Sequence, residues 1–294
     1  MKSQLIVNPV SGRDQASDDL PLVNERLRAA FGELQIVMTV GEGDGEEAAR
    51  RAAEDGCRRI FVAGGDGTLN EALNGVAAAG ALEETVFGLI PTGTGNDFAG
   101  ILGLPESAEA AAETIAAQRE RRVDLGTLNG RVFANASAGG FLAEVSDALT
   151  PGLKTIAGKL AYLIAGAGVL TEFEPPAAEV KVGEETLGSR RYQLFVVCNG
   201  QTIGGGHRVA PRAVLDDGLL DGCLVEASTT TEFLALLRRM STGEHLDDAL
   251  VTYRQFEQAK LVFDRVIKVN TDGEVRETSV CRYQVMHRAG RFFA

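Results

Sequence analysis

A chain of 294 residues, 45% of them apolar, is long enough for two domains and can bury a real core. Its net charge of −12 excludes nucleic acid as a partner, because phosphate contacts need a basic face. Its four cysteines (Cys57, Cys198, Cys223, Cys281) form no C-x-x-C pair and its three histidines (His207, His245, His287) no H-E-x-x-H, so neither a zinc site nor a disulfide framework is expected.

The cysteines read as buried small hydrophobes in a reducing compartment. The first apolar run, "QLIV", is too short for a secretory h-region. No stretch approaches 18 uninterrupted apolar residues. The longest, residues 156–170, contains Lys159 with Gly158, Gly166 and Gly168, and reads as a helix on or near a surface. A cytoplasmic protein is expected.

In chain order the first third alternates strand and helix. "QLIV" is a strand ending at Asn8-Pro9; residues 20–30 have helical spacing; "LQIVMTV" is a β-branched strand; residues 46–54 are an alanine-rich helix. "RIFVA" is a strand, residues 69–79 a helix, "VFGLIP" a strand and residues 108–118 a helix. This alternation predicts a parallel sheet with covering helices, which binds ligands at the carboxyl ends of its strands. Beyond about Val123 strands predominate: "RVFANAS", "AAEVKVG", "RYQLFVVCNG", "LLDGCLVEA", "AKLVFD", "VIKVNTDGE" and "CRYQVMHR". Their β-branched and aromatic content and Gly/Asp turns predict a mostly antiparallel second domain, interrupted by helices at 155–170 and 231–241. The boundary is placed near Arg122–Gly126.

Two phosphate motifs fail. The nearest approach to a Walker A loop, from Gly152 through Gly158-Lys159-Leu160, has one residue too many and no hydroxyl after the lysine. At "GTGNDF" Phe98 occupies the third glycine's place in G-x-G-x-x-G, which removes the main support for an oxidoreductase. The turn "GGDGTLNE" is specific in another way. Gly64, Gly65 and Gly67 permit a tight backbone. Thr68 and Glu71 match a capping box, and the following helix offers N–H groups to an anion. Asp66 would repel a bare phosphate but suits a magnesium ion lying between them. A plain strand–turn–helix, with Asp66 capping backbone, accounts for this turn alone equally well. A second turn, "PTGTGNDFA", repeats the design with Asp97, and with Asn96 as expected N-cap. "NPVSG" adds a third polar strand end with Asn8, Ser11 and Gly12.

These motifs, followed by "VDLG", "GGG…AP.A.LDDGLLD" and "NTDGE", resemble the diacylglycerol kinase catalytic-domain family, closest to its bacterial soluble lipid kinases, relatives of sphingosine and ceramide kinases. The likeness runs from Asn8 to about Glu274. It implies an α/β nucleotide-binding domain (residues 1–124, with about 284–294 returning to it) and a C-terminal antiparallel β-sandwich (125–283) that carries the lipid-substrate and structural-metal sites. ATP and Mg²⁺ would lie in the cleft between them.

The resemblance assigns Gly64, Gly65, Asp66, Gly67, Thr68, Leu69 and Asn70 to the nucleotide, with Asn8, Ser11, Gly12, Thr39, Thr94 and Asn96 beside it. Asp66, Asp97 and Asp124 match the acids of a magnesium–water network. Glu274 matches the general base, with Asp272 two residues earlier; by itself "TDGE" is an ordinary hairpin turn. Asp217, with main-chain oxygens of Val214 and Leu219, matches a second, structural magnesium site; the plain reading is an acidic turn. Several relatives carry a basic residue where this chain has Gly100. Arg13, Lys154, Lys159 and Arg208 are the candidates to replace it.

The function so implied is phosphorylation of a lipid alcohol, diacylglycerol-like, with residues 154–170 as expected peripheral membrane contact at the inner face and a homodimer as one expected assembly. An enzyme similar to NAD kinase, with a soluble substrate, shares the GGDG turn; "GTGNDFA" and "DDGLLD" favour the lipid family. A nucleotide-binding regulator without turnover is the third reading, and the set Asp66, Asp97, Asp124 and Glu274 argues against it.

Overall fold

The computed structural model describes residues 2–11, 15–148 and 173–294. Strands β1 (Ser3–Val7), β2 (Leu34–Met38), β3 (Arg59–Gly64) and β4 (Val86–Pro91) pair in parallel in the order β4-β3-β1-β2. They alternate with helices α1 (Gln15–Phe31), α2 (Asp44–Glu54) and α3 (Asp66–Ala78); α4 (Asp97–Ile101) and α5 (Ala108–Ala116) follow β4. Strands covered on both faces read as continuous apolar runs, as β1, β3 and β4 do. Side-chain alternation sorts the faces. Ile6, Ile60 and Val62 bury with Ala49 and Ala52 of α2 and Leu69 and Leu73 of α3. Leu5, Val7 and Phe61 bury on the other side with Val23 and Leu27 of α1 and Ile115 of α5. Helices α2 and α3 approach closely at Gly75, where a β-carbon would strike the carbonyl of Glu46.

The remainder is built from β5 (Glu120–Leu128), β6 (Arg131–Phe133), β7 (Ala136–Gly140), α6 (Phe141–Ala148), β8 (Ala177–Val182), β9 (Glu185–Cys198), β10 (Leu220–Glu226), α7 (Thr230–Thr242), β11 (Val251–Phe256), β12 (Gln258–Thr271) and β13 (Glu274–Phe293). Its pairings are antiparallel and enclose a separate core that includes Tyr192, Phe195, Phe256, Phe263 and Tyr283. Helix α7 has a complete capping box from Thr229 and Glu232.

Strand β13 joins the two parts. Its first half pairs with β12, its second half with β5, and Arg291–Phe292 pair in parallel with β4. Phe292 and Phe293 then enter the two cores of the α/β part. Among the described residues one mixed sheet of 13 strands therefore runs from one part into the other. Parallel pairing is confined to β1–β4 and the β4–β13 contact, and over the whole sheet antiparallel pairing predominates.

Three elements escape the sequence reading. Strand β5 opens on three exposed charged residues, which hide its pattern; β11 has no clean alternation, and α6 starts directly after Gly139-Gly140. All four cysteines are buried and unpaired. No helix among the described residues is long and apolar enough to cross a membrane. Gly12, Arg13, the lysine-bearing segment 154–170 and the Walker-like stretch lie outside the described residues.

Candidate active site

The carboxyl ends of β1, β3 and β4 are tied together by short polar side chains. Asn8 Nδ2 donates to Thr68 Oγ1 (3.2 Å), and the Ser11 and Thr92 hydroxyls lie 2.9 Å apart. Gly64 is required by this packing, since a β-carbon there would lie 2.6 Å from the Thr68 side chain. Thr39 is buried, with its N–H (2.9 Å) and hydroxyl (3.4 Å) both on the Val7 carbonyl. Leu69 is fully buried in the core, so only its backbone faces the turn. Thr94 is exposed at the mouth of the second turn.

The capping expected from sequence is rearranged. Helix α3 starts at Asp66, has no side-chain cap, and places Thr68 within its first turn. Glu71, expected to close a capping box, instead accepts from Gly43 N and Gly45 N (2.9 Å each) at the start of α2. Asn96 adopts a left-handed conformation and bonds both polar groups of Gly93 rather than capping α4. The α4 cap comes from Asp66, whose carboxylate accepts from Asp97 N (3.2 Å) and Phe98 N (3.1 Å). Asp97 in turn accepts from Gly205 N and Gly206 N (3.0–3.1 Å). Helix-end N–H groups need acceptors, and here the carboxylates of neighbouring turns supply them. Burial, and after it the charge of Asp97, pushes the Asp66 carboxyl upward against its two N–H donors.

The sheet brings the last turn against the first. A β-carbon at Gly67 would lie 3.6 Å from the Asp272 carbonyl oxygen. Asp272 is buried in a left-handed turn, and its carboxylate accepts from Ala134 N (2.6 Å), Asn135 N (3.2 Å) and Ala136 N (2.8 Å). Burial outweighs these donors and pushes its carboxyl up to about 6. Asn70 lies 3.5 Å from Asp272 Oδ2 and donates to the Val132 carbonyl (3.0 Å). Asn74 completes that clamp by bonding both the N–H and the carbonyl of Val132 (2.9 Å each). Sequence reasoning missed Asn74, although its position one turn after Asn70 on α3 was the available signal.

Glu274 has 18% of its side chain exposed and is held by Arg131 (3.3 Å) and Arg276 (3.2 Å). Arg131 also forks onto both oxygens of Glu46 on α2 (2.8 and 3.2 Å). Arg131 and Glu46 carried no motif, so sequence reasoning had no route to them.

Asp124 is fully buried and faces a different loop. Its oxygens accept from Gly218 N (2.6 Å), Arg288 N (2.6 Å) and His287 Nδ1 (2.9 Å). It thereby fixes the acidic loop 214–219 to β13. In that loop Asp217 and Val214 are exposed, and Asp217 Oδ1 accepts from Leu219 N (3.0 Å). Asp221, just beyond, is buried, receives the Tyr253 hydroxyl (2.6 Å) and is pushed up to about 6 by burial.

A cleft of about 1180 Å³ opens between the second turn and α4 on one side and residues 200–215 on the other. Small and apolar residues, including Gly95, Ala99, Gly100, Ile101 and Leu215, line it together with polar Thr92, Asn96, Gln201 and Thr202; its charged residues among those described are Asp97, Glu106 and Arg121. Arg121, a strand residue outside every motif, is thus, among the described residues, the cation that shares the cleft with Gly100. Arg208 reaches the wall indirectly, through Gln201 (3.3 Å).

Residues 2–128 match the family model described as diacylglycerol kinase catalytic domain, and residues 136–292 match that of the YegS C-terminal NAD kinase beta sandwich-like domain. A diacylglycerol kinase of Bacillus subtilis (strain 168) is 33% identical over 274 residues, spanning 93% of this chain and 89% of its own. The crystal structure of a diacylglycerol kinase from Bacillus anthracis str. Sterne superposes with a TM-score of 0.77 at 25% identity, covering 99% of this chain and 96% of that one. An NAD kinase from Archaeoglobus fulgidus in complex with ATP reaches a TM-score of 0.56 at 13% identity over 99% and 93% of the two chains, a likeness of fold alone.

Proposed function

The chain belongs to the diacylglycerol kinase catalytic-domain family and is a lipid kinase, and from that premise we propose that it transfers the γ-phosphate of ATP to the hydroxyl of a diacylglycerol-like lipid alcohol. The observation that carries this reading is the convergence of the three polar strand ends with the turn that bears Asp272 and Glu274. Phosphoryl transfer depends mainly on positioning and charge neutralisation, which such a convergence can supply.

The nucleotide phosphates are assigned to the Gly64–Thr68 turn, whose backbone and helix end offer N–H groups to anions. Asn8 and Ser11 are assigned beside it, joined to Thr68 and Thr92, and Thr94 is assigned to it from the side of the cleft. Asn70 and Leu69 contribute by holding that turn in place. The residues also fit a nucleotide-borne magnesium ion. A β-carbon at Gly95 would lie 3.5 and 3.6 Å from Oδ2 of Asp66 and of Asp97, so the two carboxylates face one small space. Burial first, and then the charge of Asp97, raises the Asp66 carboxyl, and a cation between the two carboxylates would oppose both. Mg²⁺ commonly takes one or two carboxylates, waters and substrate phosphates rather than a protein cage. No group of three His, Cys, Asp or Glu side chains among the described residues forms such a cage. When bound, the ion would neutralise charge developing on the transferred group. Asp124 acts on this network through the loop it anchors.

Glu274 is assigned as general base for the acceptor hydroxyl, and the cleft that holds Gly100 and Arg121 as the acceptor side. The lipid is met at a bilayer surface, which makes membrane contact peripheral. Asp217 and the main-chain oxygens of Val214 and Leu219 are assigned to a second magnesium, for which they would supply hard oxygen ligands. Asp217→Ala should then lower the Tm in magnesium but not in chelator; equal loss in both would remove that site. We divide the chain into an α/β domain, 1–124 with 284–294, and a sandwich, 125–283.

The deciding experiment is phosphorylation from labelled ATP of a panel of lipid alcohols in mixed micelles, with NAD as control. Labelling of a lipid alcohol is expected, and labelling of NAD alone would overturn the reading.

A further inference from the structure

The outer face of the sandwich carries a charge arrangement that the phosphotransfer site does not use. Lys181 on β8 stands directly opposite Lys260 on β12, and Lys260 stands directly opposite Arg282 on β13. Directly paired residues of antiparallel strands share a face, with β-carbons about 5 Å apart. Three cations therefore form one row across three adjacent strands, all exposed. Adjacent strands are about 4.8 Å apart, so the row spans about 10 Å. Like charges placed opposite one another destabilise a sheet. In a chain of net charge −12, general surface composition does not account for such a row.

Little neutralises it locally. Lys181 reaches Glu184 at 3.6 Å, but that carboxylate is 94% exposed. Among the described residues Lys260 and Arg282 make no ion pair. Glu179, two residues along β8, stands opposite Val262. The row also lines a concavity of about 600 Å³ whose other walls include Glu184 and the neutral Gln258 and Gln284, whose amides can donate hydrogen bonds; the Thr127 hydroxyl there already donates to the Gln284 carbonyl (3.3 Å). One wall is fixed, because Asn129 at the β5–β6 turn bonds the backbone of both Val280 and Arg282 (2.8–2.9 Å). Clustered cations with neutral donors on a pinned frame match the needs of a phosphate group.

We propose that Lys181, Lys260 and Arg282 form a phosphate-binding site on the outer face of the sandwich, separate from the phosphotransfer site, which takes the phosphate of an anionic phospholipid headgroup or free phosphate. A phosphate placed over the row relieves the cross-strand repulsion. The site is independent of which alcohol the enzyme phosphorylates.

The test compares the full chain with its Lys181→Gln/Lys260→Gln/Arg282→Gln variant, whose exposed positions leave the core intact. Two readouts are used: co-sedimentation with phosphatidylcholine vesicles with and without phosphatidylglycerol, and the Tm in inorganic phosphate against chloride at equal ionic strength. Binding to a native-state site raises the Tm. The wild type is expected to pellet with the anionic vesicles or to gain Tm in phosphate, and the variant to bind at least about tenfold more weakly. Loss of vesicle binding alone assigns the site to a lipid headgroup, and loss of the phosphate response to free phosphate. Activity on acceptor in neutral micelles should be unchanged. The proposal is overturned if the variant binds both anions like the wild type, if the wild type binds neither, or if the substitutions change only self-association.

Discussion

The first and last turns of the site, Gly64–Thr68 and Thr271–Glu274, resemble each other in sequence and differ in what they do. Each places an aspartate beside a glycine, and each aspartate accepts backbone N–H groups of another element. Asp66 is half-buried and has Asp97 as neighbour, whereas Asp272 is buried and ringed by the three amides of residues 134–136. The same short motif thus leaves its carboxylate half open to solvent in one place and buries it as part of the frame in the other. What separates them is access to solvent. In the last turn the partly exposed carboxylate is that of Glu274 instead, two residues on and held by two arginines.

The sharpest way to break this comparison is Glu274→Gln. If the last turn supplies the base, transfer falls by at least about 10²-fold while ATP still binds, measured by labelled-phosphate turnover and by nucleotide titration. Wild-type turnover would remove Glu274 from that role.

Asp66→Asn and Asp272→Asn test the two aspartates directly. An amide has one acceptor oxygen where the carboxylate had two, so Asp272→Asn leaves buried N–H donors unmatched. A loss of about 2–3 kcal/mol is expected, seen in a chain of this length as a fall in Tm of about 3–5 °C. Asp66→Asn should cost less stability and more turnover. The reverse order would show that the roles have been assigned the wrong way round.

The same pair separates by pH. The Asp272 carboxyl is pushed up to about 6 in the fold, above the roughly 3.9 of an unfolded aspartate. Between those values the native state keeps a proton that the unfolded chain has released. This group's contribution to stability therefore falls as pH rises from about 4 to about 6. Asp272→Asn should flatten part of that slope in Tm measured across this range, with Asp221 retaining its share. An unchanged slope would mean that Asp272 does not titrate there.

The smallest effect is expected at Arg131, which joins Glu274 to Glu46 on α2. Arg131→Gln should lower kcat about fivefold, roughly 1 kcal/mol, with little change in the KM for ATP. Arg131→Lys should recover part of it. Equal loss in KM would place Arg131 at the nucleotide instead.

The sequence alone determined the strand–helix alternation of the first part, the strand-rich second part, and the motif-bearing turns, because apolar period and glycine placement are local properties. It also determined the family, through motifs whose order spans almost the whole chain. Only the tertiary structure decided what the polar side chains bind. Thr68, Glu71 and Asn96 look like self-capping residues, yet Glu71 caps α2 and Asp66 caps α4, since a carboxylate at the right distance in space satisfies a helix end as well as one in sequence. Arg131, Glu46 and Arg121 carry no local signal at all, and Asn74 only its place one turn after Asn70. Their roles arise from the junction between α2, α3, β5 and β6 and from the way β13 draws the two parts into one sheet, which brings together residues far apart in the chain.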